Sequence, residues 1–325
     1  MKFSNGFRFS DKVKINLRNY LGPVFPIRYP KLELKSLPMH PLVYHSVSEE
    51  AGDDVRYSTK DEIIKVCSTL RLLSPENKYP TVTFDDGYAA AMPTIRILCD
   101  MGVPTKWFIS SWCQKENYFP KDKLRILFER FPKYKKIKIL NLEIILINTE
   151  ISFRRLLAHN INQKLMLSLS RSDYIAEVEK IANANRDLIE QQVDYSHILA
   201  TKDEIRCVLS NCESLVVGSH GGCHYRWDKL VSNRDFEVEI IESQRVLQEM
   251  TSREIDEVAY PYGISPAENM LSMISSHYKC GYSGGKVDSL GNYFLPRVNM
   301  DGVSLDIASI LSGIEDGNGG RVAKV

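Results

Sequence analysis

The amino-acid sequence predicts an α/β fold with a mainly parallel sheet, either open or closed into a barrel. Short runs rich in β-branched and aromatic residues recur along the chain, and amphipathic helical patterns separate several of them. Acidic residues directly follow one of these runs, and histidines follow another. Alternating strands and helices are typical of parallel sheets, whose functional residues gather at the carboxyl ends of the strands.

Seven runs have the composition and length of short strands: Pro41–Val47, Thr81–Phe84, Lys106–Ser110, Ser214–Gly218, Glu257–Tyr260, Lys279–Ser283 and Tyr293–Asn299. Four segments carry apolar residues at helical spacing: Thr59–Leu72, Met92–Met101, Lys202–Asn211 and Arg234–Met250. Residues from about 113 to 195 break this alternation with a mostly polar, helical pattern. We expect a largely helical insertion on one βα loop, which serves either as a substrate-selecting cap or as a small domain for protein contacts.

The composition of the whole chain excludes several classes of protein. A chain of 325 residues with a net charge of +1 can bury a large core, and its balanced charge predicts no nucleic-acid partner. No apolar run is long enough to cross a membrane, and the first residues contain no hydrophobic signal core. Seven scattered cysteines without a Cys-x-x-Cys motif favour reduced thiols. These features together predict a cytoplasmic protein.

Residues 1–36 are predicted to form a basic N-terminal extension, and residues 37–325 are predicted to form the main domain. Eight lysines and arginines in the extension outnumber two acidic residues. Apolar residues at helical spacing from Phe9 to Leu21 predict an amphipathic helix there. We favour packing of this helix on its own domain, and contact with a membrane surface or a lipid-linked substrate is the alternative.

Two adjacent carboxylates, Asp85 and Asp86, are the first candidate functional residues. They follow the predicted strand Thr81–Phe84, and Gly87 then lets the backbone turn. Two ionised carboxylates at one strand end repel each other unless a cation binds between them or one of them is protonated. The pair therefore indicates either a metal ligand beside a proton-transfer group or an ordinary Asp-Asp-Gly turn.

His220 and His224 are the second candidate cluster, directly after another apolar run. Two glycines between them favour a loop that can bring both imidazoles to one ion. Imidazole and carboxylate suit zinc or a similar divalent metal, and two histidines with one aspartate leave the open position that catalytic zinc needs. A structural zinc site with Cys223 as the fourth ligand is the less favoured alternative.

Together these motifs resemble the polysaccharide deacetylase superfamily, also called the NodB-homology or carbohydrate esterase family 4 group. The resemblance rests on these segments: Leu42–Val47, which is similar to the Tyr-His motif of one branch, Thr83–Gly87, Gly102–Phe108, His220 with His224, and Tyr260–Gly263. It covers roughly residues 40–110 and 197–300. It implies a distorted, incomplete (β/α) barrel.

The family resemblance also implies roles for individual residues. The expected ligands of one divalent metal ion are Asp86, His220 and His224. Zinc is the expected metal, with cobalt, nickel or iron as alternatives. The expected catalytic residues are Asp85 as the base and His45 as the general acid. Apart from the resemblance, we expect Tyr88 to contact the substrate through its backbone N–H, and the rings of Tyr262 and Trp107 either stack on a sugar or pack in the core.

The sequence departs from the family pattern in the third motif. Ala259 stands where an arginine that orients the catalytic aspartate is expected, and Arg297 is the candidate for this role from another strand. The usual late histidine acid is absent, since His277 is the last histidine of the chain. These departures fit either the Tyr-His branch, in which His45 is the acid, or a decayed site.

The resemblance implies a metal-dependent hydrolase that removes an N-acetyl or similar acyl group from a sugar. A catalytically decayed sugar-binding or regulatory protein is the alternative. We expect the substrate to be an intracellular glycan or a nucleotide- or lipid-linked sugar precursor that carries phosphate, acted on in the cytoplasm or at the inner membrane surface. A serine hydrolase is rejected because no histidine follows Ser283 in its Gly-x-Ser-x-Gly match.

Overall fold

The computed structural model describes residues 41–48, 58–73, 78–140, 142–146, 150–191, 195–284, 291–293 and 295–300. The predicted amphipathic helix of the N-terminal extension lies outside these residues. Within them, none of the helices combines the length and the apolar character that a membrane crossing requires. The described residues divide into two compact units, a larger one with those of 41–117, 195–228 and 237–300 and a smaller one with those of 118–191 and 229–236.

The strands of the described residues are β1 Leu42–Tyr44, β2 Val47–Ser48, β3 Ser58–Thr59, β4 Val82–Phe84, β5 Thr105–Ile109, β6 Lys136–Ile139, β7 Leu142–Ile145, β8 Val216–Ser219, β9 Glu257–Ala259, β10 Cys280–Ser283, β11 Leu295–Pro296 and β12 Val298–Asn299. The α-helices are α1 Lys60–Leu73, α2 Met92–Asp100, α3 Pro120–Arg130, α4 Ile151–Ser168, α5 Arg171–Asn183, α6 Arg186–Glu190, α7 Lys202–Asn211, α8 Asn233–Phe236, α9 Ser243–Thr251 and α10 Glu268–His277. A π-helix, Glu237–Glu242, joins α8 to α9.

The larger unit is built on one eight-stranded sheet of order β11-β10-β9-β8-β5-β4-β1-β12, in which neighbouring strands run parallel. The strands at its two edges, β11 and β12, are separated in sequence by Arg297 alone. A single extended segment therefore pairs with β10 on one side and with β1 on the other. This segment closes the sheet into a distorted (β/α) barrel, and the fold class predicted from the sequence is confirmed.

The central strands are buried on both faces, as is typical of parallel sheets. Every residue of β1 and β4 is buried, and four of the five residues of β5 are buried. Strands that are covered on both faces carry continuous apolar runs instead of an alternating pattern.

Thr201 and Glu204 form a capping box that begins α7, because each side chain bonds the backbone N–H of the other residue.

The smaller unit contains α3–α6, α8 and an antiparallel hairpin of β6 and β7. Arg154 lies buried at the end of α3, where it donates to the carbonyl oxygens of Phe128, Glu129 and Phe131 at 3.3, 3.0 and 2.8 Å. A cation at this position satisfies carbonyl groups that the helix leaves without partners. The hairpin is an addition to the largely helical insertion that the sequence predicts.

Candidate active site

Asp86, His220 and His224 come together at the carboxyl ends of β4 and β8. All three side chains are buried, and one potential ligand atom from each lies within 4.8 Å of the others. Oδ1 of Asp86 is 3.4 Å from Nε2 of His220 and 3.0 Å from Nε2 of His224. The structure thus brings the three predicted metal ligands into one cluster.

The geometry of this cluster fits a divalent metal ion. Tetrahedral zinc with bonds of about 2.0–2.1 Å places neighbouring ligand atoms about 3.3 Å apart. The two distances from Asp86 lie on either side of this value. Nδ1 of His220 is 2.8 Å from the carbonyl oxygen of Ala259, which directs Nε2 toward Asp86. In the described part of the chain, this buried Nε2 has no hydrogen-bond partner, and a metal ion would provide one.

Asp85 is held by a bidentate ion pair with Arg297. Nη1 and Nη2 of Arg297 lie 2.6 and 2.7 Å from the two carboxylate oxygens, and both side chains are buried. Burial alone would raise the pKa of Asp85, but the Arg297 charge, with smaller effects of His220 and His45, holds that pKa below its ordinary value. The Asp85 carboxyl group is therefore ionised at neutral pH.

Glu239 is a residue of this region that the sequence analysis missed. Its fully buried carboxylate lies on the π-helix and accepts from the backbone N–H of Gly222 at 2.8 Å and from that of Cys223 at 3.1 Å. The Cys223 thiol also donates to it at 3.2 Å. Glu239 thereby holds the loop that joins the two histidines of the cluster, and Cys223 serves as a donor to that carboxylate.

The same loop is also held along the end of β5. The backbone N–H of His220 donates to the Ile109 carbonyl at 2.8 Å, and Ser111 N–H donates to the Gly221 carbonyl at 3.0 Å. A Cβ on Gly222 would lie 2.6 Å from a Glu239 oxygen, so a larger residue here would displace that carboxylate. The sequence could not reveal the role of Glu239, because its partners are mainly backbone N–H groups, which every residue except proline offers.

Three residues around the cluster adopt left-handed backbone conformations. The φ angles of Asp86, His224 and Tyr262 are 71°, 60° and 62°. Non-glycine residues in this region carry strain, which is stored most often at functional sites where surrounding contacts hold it. The Tyr262 ring packs edge-on against the His224 imidazole, with ring centroids 4.5 Å apart. The predicted substrate contact Tyr262 thus lies beside the candidate metal ligands.

Two other predicted site residues take different positions. His45 directly follows β1 and is half-buried, and its charge is among the causes of the lowered pKa of Asp85. Tyr88 is buried, forms an isolated bridge with Leu199 and packs edge-on against the ring of His197, at a centroid distance of 5.4 Å. His45 therefore acts electrostatically on Asp85, whereas Tyr88 belongs to the turn that follows the two carboxylates.

Trp107 does not belong to the site. It is fully buried in β5, in register with Phe84 of β4 and Val217 of β8. Side chains alternate between the two faces of a sheet, so Trp107 shares the face of Phe84. Thr83, whose hydroxyl accepts from Arg297, points to the other face. Of the two alternatives for Trp107, the structure shows packing in the core, because its ring is fully buried behind the site.

Comparisons with known proteins concern the fold. No family model and no curated protein matches the chain. Among solved structures, it is similar to the Streptococcus pyogenes deacetylase PplD in complex with acetate (TM-score 0.48, 13% identity, 84% of this chain and 96% of that chain). It is also similar to BC0361, a polysaccharide deacetylase from Bacillus cereus (TM-score 0.47, 13% identity, 85% and 68%), and to IcaB from Ammonifex degensii (TM-score 0.45, 13% identity, 84% and 95%). These three are likenesses of fold between chains that share 13% of their residues.

Proposed function

We propose that this chain is a metal-dependent hydrolase that removes an acetyl or similar acyl group from an N-acylated sugar. The observation that carries the proposal is the buried cluster of Asp86, His220 and His224 beside an ionised Asp85. Two imidazoles and one carboxylate are a ligand set of catalytic zinc sites, which keep one position open. We propose zinc as the metal, with cobalt, nickel and iron as alternatives that the same ligands accept.

A divalent ion held by these three side chains would supply Lewis-acid activation of water, lowering its pKa from about 15.7 toward about 7. Asp85 would accept the proton of the attacking water as general base. The Arg297 fork occupies one lone pair on each Asp85 oxygen and fixes the orientation of the carboxylate. A carboxylate offers about four acceptor positions, so Asp85 keeps the capacity to receive that proton.

Leaving-group chemistry assigns further roles. An amine departs only when it is protonated, and His45, at the end of β1, is the proposed general acid. The backbone N–H of Tyr88 is the proposed donor to the developing oxyanion, and the half-buried Tyr262 ring is the proposed contact for the sugar. All seven cysteines of the chain are free thiols, which supports a reducing compartment. On that basis, and because the basic N-terminal extension favours an anionic ligand, we propose an intracellular, phosphate-bearing sugar precursor as the substrate.

The test begins with the metal content of tag-free protein, measured by elemental mass spectrometry. About one divalent ion per chain is expected, because the cluster offers one set of three ligands. Acetate release is then assayed with neutral and phosphate-bearing N-acetyl sugars, before and after treatment with a chelator. Chelator-sensitive release supports the hydrolase. Protein that binds metal and sugars but releases no acetate would instead be a sugar-binding or regulatory protein.

A further inference from the structure

The hairpin of the smaller unit presents an unusual outer face. In β6, Ile137 and Ile139 are buried, and Lys136 and Lys138 alternate with them and are exposed. Across the hairpin, Lys136 pairs with Ile145 and Lys138 pairs with Glu143. The side-chain alternation of the strand therefore places both lysines on the face that points away from the core.

Two large apolar residues flank this strand, and both have costly conformations. Tyr134 precedes β6 with a φ of 64° and is 65% exposed, and Leu140 follows it with a φ of 52° and is 37% exposed. Glycine or asparagine would fit such left-handed positions with less strain. Exposed tyrosine and leucine side chains also add little to core packing. Core packing of the unit thus gives little reason for a tyrosine at position 134, whereas Leu140, at 37% exposed, is partly packed.

The charge around the hairpin is strongly positive. Its positive side chains are Lys133, Lys135, Lys136, Lys138 and the nearby Lys180. Against these five stand two acidic groups, Glu143, which pairs with Lys136 at 3.1 Å, and Glu177, which pairs with Lys180 at 2.8 Å and accepts from the Leu140 N–H. These seven residues together carry a net charge of +3. Lys135 and Lys138 make no ion pair within the described residues.

We propose that this hairpin surface, defined as residues Lys133–Lys136, Lys138 and Leu140, binds the anionic surface of a membrane. Lysines attract anionic lipid headgroups, while tyrosine and leucine enter the boundary between headgroups and acyl chains. The combination favours a membrane over a soluble polyanion, because leucine neither pairs with phosphate nor stacks on bases. The inference concerns a surface distinct from the candidate metal cluster and does not depend on the proposed hydrolase activity.

The experiment measures binding of the full chain to vesicles by sedimentation. Vesicles of phosphatidylcholine alone are compared with vesicles in which part of it is replaced by phosphatidylglycerol. The double variant Lys136→Glu/Lys138→Glu should bind the anionic vesicles at least about twentyfold more weakly, since each lysine near such a surface contributes about fivefold. The matched control, Lys65→Glu/Lys202→Glu, makes the same charge change at exposed positions of α1 and α7.

Tyr134→Gly separates binding from folding. It should weaken binding to anionic vesicles and at the same time raise the melting temperature, because glycine relieves the left-handed backbone. Equal weakening in the control pair, or unchanged binding in the hairpin double variant, would overturn the proposal. Binding of polyphosphate with the same dependence on all three variants would also overturn it, since the surface would then recognise phosphate in general.

Discussion

The candidate active site and the hairpin of β6 and β7 both place non-glycine residues in left-handed backbone conformations. Two such residues are buried at the site, and two are exposed in the hairpin. At the site, Asp86 and His224 are buried. In the hairpin, Tyr134 and Leu140 are exposed. The backbone cost of such a conformation is similar in both places, at about 1–2 kcal/mol for each residue. What differs is whether packed neighbours hold the strained residue in place.

At the site, the neighbours hold the strained conformation. The loop that ends at His224 is held through Glu239 on one side and through the end of β5 on the other. Strain of this kind persists where the surrounding structure over-determines it, and it fixes the directions of functional groups. In the hairpin, the strained residues present their side chains to solvent. Changes at the site should therefore destabilise the protein or abolish its function, whereas removal of strain in the hairpin should stabilise it.

The largest expected effect separates the two adjacent carboxylates. Asp86→Ala should abolish metal binding and activity, because it removes one of three ligands. Asp85→Asn should retain the metal and lose activity by at least about 100-fold, the usual contribution of a general base. Metal content by elemental mass spectrometry and acetate release by enzymatic assay measure the two effects.

Cys223→Ser is the control for this pair of variants. Serine can still donate to Glu239, so the metal content of this variant should equal that of the unchanged protein. Loss of metal from Cys223→Ser would show that the thiol is a ligand. Equal metal loss in Asp85→Asn and Asp86→Ala would show that the two carboxylates do not have separate roles.

The second expected effect concerns Arg297. Arg297→Gln leaves the buried carboxylate of Asp85 without its cation, which should lower the free energy of unfolding by about 3–5 kcal/mol. Urea unfolding at neutral pH, in the presence of a chelator, measures this loss. The double variant Arg297→Gln/Asp85→Asn should recover part of it, because no buried charge then remains unpaired. A double variant as unstable as Arg297→Gln would indicate that Arg297 stabilises the barrel through its other contacts.

The ion pair of Asp85 with Arg297 should also make the free energy of unfolding depend on pH. The folded-state pKa of Asp85 lies below its ordinary value, so the stabilisation is fully present above the unfolded-state pKa and is lost as pH falls through the folded-state pKa. Asp85→Asn should remove this part of the acid dependence. Urea unfolding of both proteins at neutral and acidic pH, again with a chelator, compares the two slopes.

The site shows which features a sequence can and cannot reveal. Strand-end residues such as Asp86 and His220 were predicted to meet, because parallel strands deliver their carboxyl ends to one edge. The sequence left Trp107 open between a sugar contact and the core, since an aromatic residue in a short apolar strand has the same pattern on either face of a buried sheet. Glu239 gave no signal because its partners are backbone groups of a loop.

The fold shows the same division between local and non-local information. The sequence pattern predicted the strands of the barrel and the helices α1, α2 and α7. Most of the predicted boundaries lie within two residues of the observed ones. The closure through Leu295–Asn299 could not be predicted, because pairing with both β1 and β10 depends on distant partners. The hairpin was missed even though Lys136–Ile139 alternates with period two. Its helical surroundings led to a helical interpretation of the whole insertion.

The third expected effect tests how the loop of the site is held. Glu239→Gln places an amide N–H group where the carboxylate accepts from backbone N–H groups and a thiol. The free energy of unfolding should fall by about 2 kcal/mol. The affinity for zinc, measured by competition with a chromophoric chelator, should fall by about tenfold, as is usual for groups that orient metal ligands.

Glu213→Gln is the matched control for this variant, since Glu213 is an exposed glutamate between α7 and β8. It makes the same chemical change and should alter neither the stability nor the zinc affinity. Gly222→Ala should imitate Glu239→Gln, because the added Cβ would lie 2.6 Å from a Glu239 oxygen. If Gly222→Ala binds zinc normally, the position of the loop is not what sets the affinity.

The smallest expected effect returns to the hairpin. Leu140→Gly removes a partly exposed side chain from a left-handed position, and the gain from relief of strain exceeds the entropic cost of glycine in the unfolded chain. The free energy of unfolding should therefore rise by about 0.5 kcal/mol, as measured by urea unfolding. Ser252→Gly is the reference variant, because Ser252 lies in a left-handed conformation at the exposed end of α9. Its change in the free energy of unfolding measures the relief of strain where no apolar side chain is lost. If Ser252→Gly stabilises the protein and Leu140→Gly destabilises it, the packing of Leu140 outweighs its strain. The hairpin would then be held by its own neighbours, as the site is, and Leu140 would need no external partner to explain it.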